Sequence, residues 1–352
     1  MPLIENTDRK QRMIDVPADV PFPSVDAAAP IALLARCPAH VKTPLTPLHD
    51  LALEAGIARA YAKDETGRMG LGSFKALGAA YVIAHEAAKA GGEDLSKALA
   101  GKTYVTASAG NHGMSVAAGA KVFGANSVIF LAKTVPSAFA ARLRDKGAEV
   151  RVEGDDYEAS MKAALEFAQS HGFVLLSDSS WKGYYDLPHR LMEGYLASAK
   201  EIIEEMPEVP THVFLQAGVG GLAGAMAALF REAWGDAPNI IVVEPDAAPA
   251  LQAGIKAGKP VFADGPVSNM GRLDCKEPSL IALKGLARDA DFFLTVSDEL
   301  ASETVERLER HGISSTPSGV GGLTGLFAGQ GGPLGLSSDS VALVIISEGS
   351  DA

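Results

Sequence analysis

TYVTASAGNHGMSVAAGAKVFGANSVIFLA, residues 103–132, decides the fold. It opens on a short β-prone run, TYVTA (103–107), passes through a glycine-bounded loop, and continues as an alanine-rich helical stretch to Phe123. A second apolar run, SVIFLA (127–132), follows. Reading onward, PSAFAARLRDKG (136–147) is a helix with proline at its start and glycine at its end. EVRVE (149–153), a helix over about 156–170 and FVLLS (173–177) continue the series. A helix near 188–205 then leads to THVFLQA (211–217), a glycine-rich turn, a helix to about Trp234, and NIIVVEP (239–245). FFLTV (292–296) and VALVIIS (341–347) add two late strands. Apolar strands spaced by helices predict an α/β protein with two open, twisted, mostly parallel sheets flanked by helices. Residues 85–195 form the smaller, substrate-side domain of this expectation, and 1–84 with 196–352 the larger one. Residues 1–40 are weakly patterned and read as an arm packing on a partner, and 260–290 carries no legible pattern.

The bulk properties exclude several classes. At 352 residues the chain has room for two domains, and 47% hydrophobic with 21% charged residues is an ordinary globular composition. A net charge of −12, from 31 basic and 43 acidic side chains, repels nucleic acid and anionic membranes. No apolar run approaches the roughly 18–20 residues that span a bilayer. The polar start MPLIENTDRKQRMIDVP lacks a secretory segment, and two distant cysteines, Cys37 and Cys275, suit a reducing cytoplasm.

Four loops carry chemistry, and each has a bland alternative. Lys75 in Gly72-Ser73-Phe74-Lys75 reads alone as a solvated first-turn lysine. Its place at the start of an apolar helix would disfavour an ammonium and lower its pKa, which a Schiff-base amine needs. Ser108-Ala109-Gly110-Asn111-His112-Gly113 is either a tight strand-to-helix turn or an anion site for a substrate carboxylate, with His112 more naturally structural than a base. Gly218-Val219-Gly220-Gly221-Leu222 lacks both the dinucleotide glycine spacing and a Walker lysine, so a single phosphate fits it best. Ser347, after the last strand, is a turn residue or a hydroxyl facing a pyridine nitrogen. An amine, an anion loop, a phosphate loop and a hydroxyl are together what pyridoxal 5'-phosphate requires.

The order GSFK, SAGNHG, QAGVGG and IISEGSD resembles the tryptophan-synthase-β-like (fold type II) pyridoxal-phosphate enzymes over about residues 60–352. The segments LSDSSWKGYYDLPHRLMEGY (176–195) and VVEPDAA (242–248) bring it nearest the diaminopropionate ammonia-lyases within that family. The resemblance implies that Lys75 carries the cofactor and moves protons at the α-carbon. It implies that Asn111 contacts the ring oxygen, and that Ser108, Ala109, Gly110 and His112 line the substrate carboxylate. Gly218, Val219, Gly220, Gly221 and Leu222 would cup the phosphate, and Ser347 would face the ring nitrogen. Asp178 matches an active-site carboxylate of the ammonia-lyases, or else is a turn residue. Two departures stand out. Ala109 replaces the aspartate associated with proton abstraction from a D-substrate, which argues against D-diaminopropionate and towards the threonine and serine dehydratases. Glu244 fills one place of a divalent-cation site found in serine-racemase-like relatives, but Ala250 stands at the other, so no metal site is expected.

The implied reaction is α,β-elimination on a small amino acid, giving a 2-oxo acid and ammonia in a cytoplasmic homodimer. Alternatives on the same cofactor are a threonine- or serine-type dehydratase, a racemase or a β-replacement synthase. A non-catalytic amino-acid-binding protein would have little use for Lys75.

Overall fold

The computed structural model describes residues 3–92, 94–108, 110–135 and 137–350. Its strands, in chain order, are β1 (Leu3–Glu5), β2 (Leu45–Pro47), β3 (Arg59–Asp64), β4 (Thr103–Ala107), β5 (Asn126–Leu131), β6 (Glu149–Val152), β7 (Val174–Leu175), β8 (His212–Gln216), β9 (Asn239–Pro245), β10 (Phe292–Val296) and β11 (Val341–Ile346). They form two sheets, ordered β1-β10-β9-β8-β11-β3-β2 and β6-β5-β4-β7. The smaller sheet is wholly parallel, and the larger is parallel across β10-β9-β8-β11-β3 with antiparallel edges. The α/β expectation holds. Among the described residues no helix is long and apolar enough to cross a membrane.

Burial on both faces explains the continuous apolar runs. In β8, β9 and β11, Val213, Leu215, Ile240, Val242, Leu343 and Ile345 point into one core, while Phe214, Ile241, Val243, Ala342, Val344 and Ile346 point into the opposite one. The first core also takes Tyr104, Ile129 and Leu131 from the smaller sheet. That sheet turns Val105, Ala107, Val128 and Phe130 outward towards the helix Tyr157–His171.

The sequence reading missed β1, β2 and β3. It also overstated FVLLS, of which only Val174–Leu175 pairs. The start of the chain packs on its own large sheet: Leu3–Glu5 pairs with Phe292–Leu294, and Asn6 Nδ2 donates to the carbonyls of Ala287 (2.9 Å) and Ala290 (2.8 Å).

One close contact governs the site. The helix Asp186–Glu205 crosses the turn that carries Lys75 so tightly that a Cβ at Gly194 would lie 2.1 Å from the Leu77 carbonyl oxygen. Gly194→Ala is therefore expected to cost roughly 1–3 kcal/mol. It should also weaken cofactor retention, checked by thermal unfolding and by absorbance of the purified protein; an unchanged melting curve would contradict the packing.

Candidate active site

Lys75 sits in a tight 3-10 turn, Phe74–Leu77, that precedes the helix Ala79–Ala90. Main-chain bonds pin this turn to the end of β11. Phe74 N donates to Ser347 O (3.1 Å), Gly349 N donates to Gly72 O (2.9 Å), and Ser73 pairs with Glu348. Gly72 adopts φ 81°, a left-handed conformation suited to glycine. Lys75 Nζ meets Asp178 Oδ2 at 2.5 Å, with 21% and 19% of the two side chains exposed. This corrects the expected depression of the lysine pKa. Partial burial does oppose the charge, but the Asp178 carboxylate outweighs it and raises Lys75 above the ordinary lysine value. Burial likewise works against the Asp178 charge, yet the Lys75 ammonium holds that carboxyl well below its usual range. Phe74 and Tyr195 wall the pair, their ring centroids 5.3 Å and 6.0 Å from Nζ. Burial pushes the Tyr195 phenol up to about 12.

The anion loop is organised from within. Ser108 Oγ accepts from Gly110 N (3.2 Å) and Gly113 N (3.1 Å), so this hydroxyl shapes the turn and does not itself reach for a ligand. A Cβ at Gly113 would lie 3.0 Å from the Ser108 carbonyl oxygen. The helix Asn111–Val122 starts here, so the Asn111 and His112 amides belong to its first turn, whose N–H groups have no acceptor within the helix. His112 is buried, with Nε2 2.8 Å from Leu176 O, and burial lowers its pKa. A carbonyl partner places the proton on Nε2, leaving a neutral, positioned ring. Ala109 lies outside the described residues.

The phosphate-loop candidates are equally constrained. Gly220 has φ 97° and begins the helix Gly221–Trp234. A Cβ at Gly218 would meet Cys275 Sγ at 2.9 Å, and one at Gly220 would meet the Ala282 Cβ at 2.9 Å. Val219 O accepts from Ser279 N (3.0 Å), and Leu222 follows in the first helical turn. The Asp178 carbonyl lies 3.9 Å from where a Gly221 Cβ would stand, so the lysine–aspartate pair borders this loop. Ser347 is 3% exposed, its main chain bonded to Gly319 and Phe74.

Two residues escaped the sequence reading. Glu348 is buried and accepts from Asn111 Nδ2 (2.6 Å) and Thr316 Oγ1 (2.5 Å). Arg272 Nε adds an ion pair to the same carboxylate at 3.2 Å. Burial pushes Glu348 up, with Arg272 pulling the other way. Glu348 directly follows Ser347 and could have been flagged; Arg272 lies in an irregular stretch with no periodicity to mark it. Glu244, by contrast, is committed elsewhere: its two oxygens accept from Leu251 N (2.7 Å) and Gln252 N (2.8 Å), capping the helix Ala250–Ala257.

This donor set fits pyridoxal 5'-phosphate. Asn111 spends one amide N–H on Glu348 and keeps a second, while its buried Oδ1 has no partner. Glycines at 218 and 220 let the loop pack against Cys275 and Ala282, and the loop opens a helix N-terminus, which favours an anion such as a phosphate.

Comparison with known proteins points the same way. The family model described as pyridoxal-phosphate dependent enzyme matches residues 37–348. Diaminopropionate ammonia-lyase of Escherichia coli (strain K12) is 34% identical over 335 residues, covering 87% of this chain and 84% of that protein. Human L-serine dehydratase/L-threonine deaminase is 30% identical over 272 residues, 77% of each chain. Among solved structures, diaminopropionate ammonia lyase from Escherichia coli in complex with D-serine superposes with a TM-score of 0.88 at 30% identity, covering 99% of this chain and 94% of that one. The matched stretch contains Lys75, Asp178, the 218–222 loop and Ser347, and the chain belongs to the family of pyridoxal-phosphate dependent enzymes.

Proposed function

We propose that this protein is a pyridoxal 5'-phosphate-dependent ammonia-lyase that eliminates the β-substituent of a small amino acid, yielding a 2-oxo acid and ammonia. The observation that carries the reading is the 2.5 Å contact between Lys75 Nζ and Asp178 Oδ2, with the Asp178 main chain beside the glycine loop that opens a helix. When bound, the cofactor supplies an electron sink for the charge left at the α-carbon. Lys75 Nζ, the amine in reach, takes the α-proton. Asp178 stays ionised, so it holds and orients the proton on Nζ at this distance, and Nζ delivers it to a departing hydroxyl or amine. The Asn111 and His112 amides hold the substrate carboxylate, with Ser108 and Gly110 setting the loop's shape. Asn111 Nδ2 orients the ring oxygen through its second N–H. Gly218, Val219, Gly220, Gly221 and Leu222 hold the phosphate. Ser347 would offer the ring nitrogen a neutral hydroxyl, a partner that would not protonate it and would favour β-elimination over transamination.

Asp178→Asn tests this assignment. Elimination is expected to fall by roughly 10²–10⁴-fold, the usual contribution of a positioned acid or base. Ammonia and 2-oxo acid should be measured from D- and L-serine, threonine and diaminopropionate. Undiminished rates on all of them would remove Asp178 from the proton path. Running the same assay with an added thiol separates elimination from β-replacement.

We also read the protein as a cytoplasmic homodimer without nucleic-acid partners. Residues 85–195 form the substrate-side unit, and 1–84 with 196–352 the cofactor-side one. The confinement of the four parallel strands to residues 103–175 supports that division, and the commitment of Glu244 to backbone amides supports a site without metal.

A further inference from the structure

We infer that Tyr195 is a positioning residue for Lys75: its phenol oxygen accepts from Nζ and, with Asp178, keeps the remaining bonding position of that nitrogen turned to the substrate. The inference rests on the elimination reading above and deepens it. Tyr195 is 1% exposed, and its Oη is buried without a hydrogen-bond partner. A buried hydroxyl with nothing bonded to it is costly, so its presence in a packed site calls for a reason.

The surroundings supply one. The Tyr195 ring is wedged between the two halves of the site. On one side it abuts the turn that carries Lys75, which Gly78 N closes by donating to Lys75 O at 3.1 Å. A Cβ at Gly78 would lie 2.7 Å from Tyr195 Cε1 and 2.9 Å from Oη, so this glycine makes room for the phenol end of the ring. On the other side Cε2 lies 3.7 Å from the position of a Gly221 Cβ, and the Asp178 carbonyl oxygen lies 3.9 Å from the same point. Phe74 meets the ring edge-on, with centroids 4.9 Å apart. Lys75 Nζ stands 6.0 Å from the Tyr195 ring centroid. Burial pushes the phenol's pKa up, and the Lys75 ammonium pulls it back. No hydrogen bond joins the two while Nζ is drawn to Asp178.

A second acceptor beside Asp178 serves both proton transfers. A neutral amine has two N–H bonds and one lone pair. It takes the α-proton only when the lone pair faces the α-carbon, and both N–H bonds must then point elsewhere. Asp178 accepts one of them, and the unpartnered Tyr195 oxygen is the acceptor for the other. With the α-proton on Nζ, the same two acceptors leave the third N–H aimed at the departing group. Tyr195 keeps its own proton throughout. With Asp178 alone, rotation about the Cε–Nζ bond is free to turn the lone pair away.

Tyr195→Phe tests this, because it keeps the ring and removes only the hydroxyl. In the holoenzyme, kcat on the best substrate among serine, threonine and diaminopropionate is expected to fall roughly fivefold to twentyfold. KM should stay unchanged, since the phenol holds the lysine and not the substrate. Urea unfolding of the apoprotein gives the second readout. Its midpoint should stay the same or rise, because the hydroxyl leaves no partner behind. Slower turnover in a protein at least as stable is a result that a packing role does not produce. An unchanged or raised kcat overturns the inference. A raised KM at constant kcat does so too, by placing the phenol on the substrate. A lower urea midpoint also overturns it, by showing that the hydroxyl is already bonded within the fold. No ammonia from the native protein on any of these substrates would sink elimination itself, and this role with it, whatever the variant shows.

Discussion

Lys75→Ala is expected to abolish elimination, with a loss on the order of 10⁴–10⁶-fold as for other residues that form the reactive centre. No neighbouring group can take over. His112 is held through Nε2 at 2.8 Å from Leu176 O, and its pKa is lowered by burial. The Tyr195 phenol, pushed up to about 12, is a poor base towards the α-proton at neutral pH. The phosphate loop is held by its packing on Cys275 and Ala282 and by the Ser279 N to Val219 O bond, so the variant should still bind the cofactor, but borohydride should no longer fix it to the protein. Ammonia release, absorbance and mass after borohydride treatment check the three parts. Retained turnover, or a borohydride adduct on another lysine, would move the reactive amine away from position 75.

The second large effect is expected away from the chemistry. Arg68 is fully buried and holds three other side chains. It donates to Glu65 through Nε (2.7 Å) and Nη2 (2.7 Å), and to Glu201 through Nη1 (2.9 Å) and Nη2 (2.7 Å). Thr43 Oγ1 accepts a further bond from Nη2 at 2.7 Å. Lys63, also fully buried, meets Glu201 at 2.9 Å and donates to Thr43 O at 2.6 Å. Ser198 Oγ donates to Glu65 at 2.6 Å. Burial opposes the Arg68 charge, but the two glutamates raise its pKa regardless. Arg68→Met would leave two buried carboxylates facing one lysine, and losing one partner of such a network costs about 3–5 kcal/mol. Arg68→Lys should recover only part of this, since an ammonium cannot bridge two carboxylates with a planar fork. Urea unfolding measures the loss; a change below about 1 kcal/mol would place the network among dispensable surface pairs. The segment 65–72 leads directly into the Lys75 turn, so cofactor retention should fall with stability.

The legible parts of the sequence were those where one local rule decided the outcome. NIIVVEP and FFLTV are strands over the ranges their apolar runs predict, because both faces are buried and every position is under the same demand. ARAYAKD hides the strand β3 behind small alanines and Lys63, a residue that reads as surface but is fully buried in the ion network. The direction of the Lys75 shift could not be read locally either, since its partner lies 103 residues away. Helix-terminus reasoning gave the wrong sign because a carboxylate at 2.5 Å outweighs a partial dipole charge. The glycine loops were visible as motifs, whereas Arg272 and Glu348 matter only through contacts that an irregular segment and a chain reversal create. The D-versus-L question turns on position 109, and that residue lies outside the described ones.

The pairing of residues 72–74 with 347–349 has a temporal consequence. β11 is inserted between β3 and β8, so the turn bearing Lys75 has no fixed scaffold until the ribosome has passed residue 349. Capture of the vitamin should therefore wait for this strand to be made. Nascent chains arrested before residue 341 should remain colourless however long they are left with it.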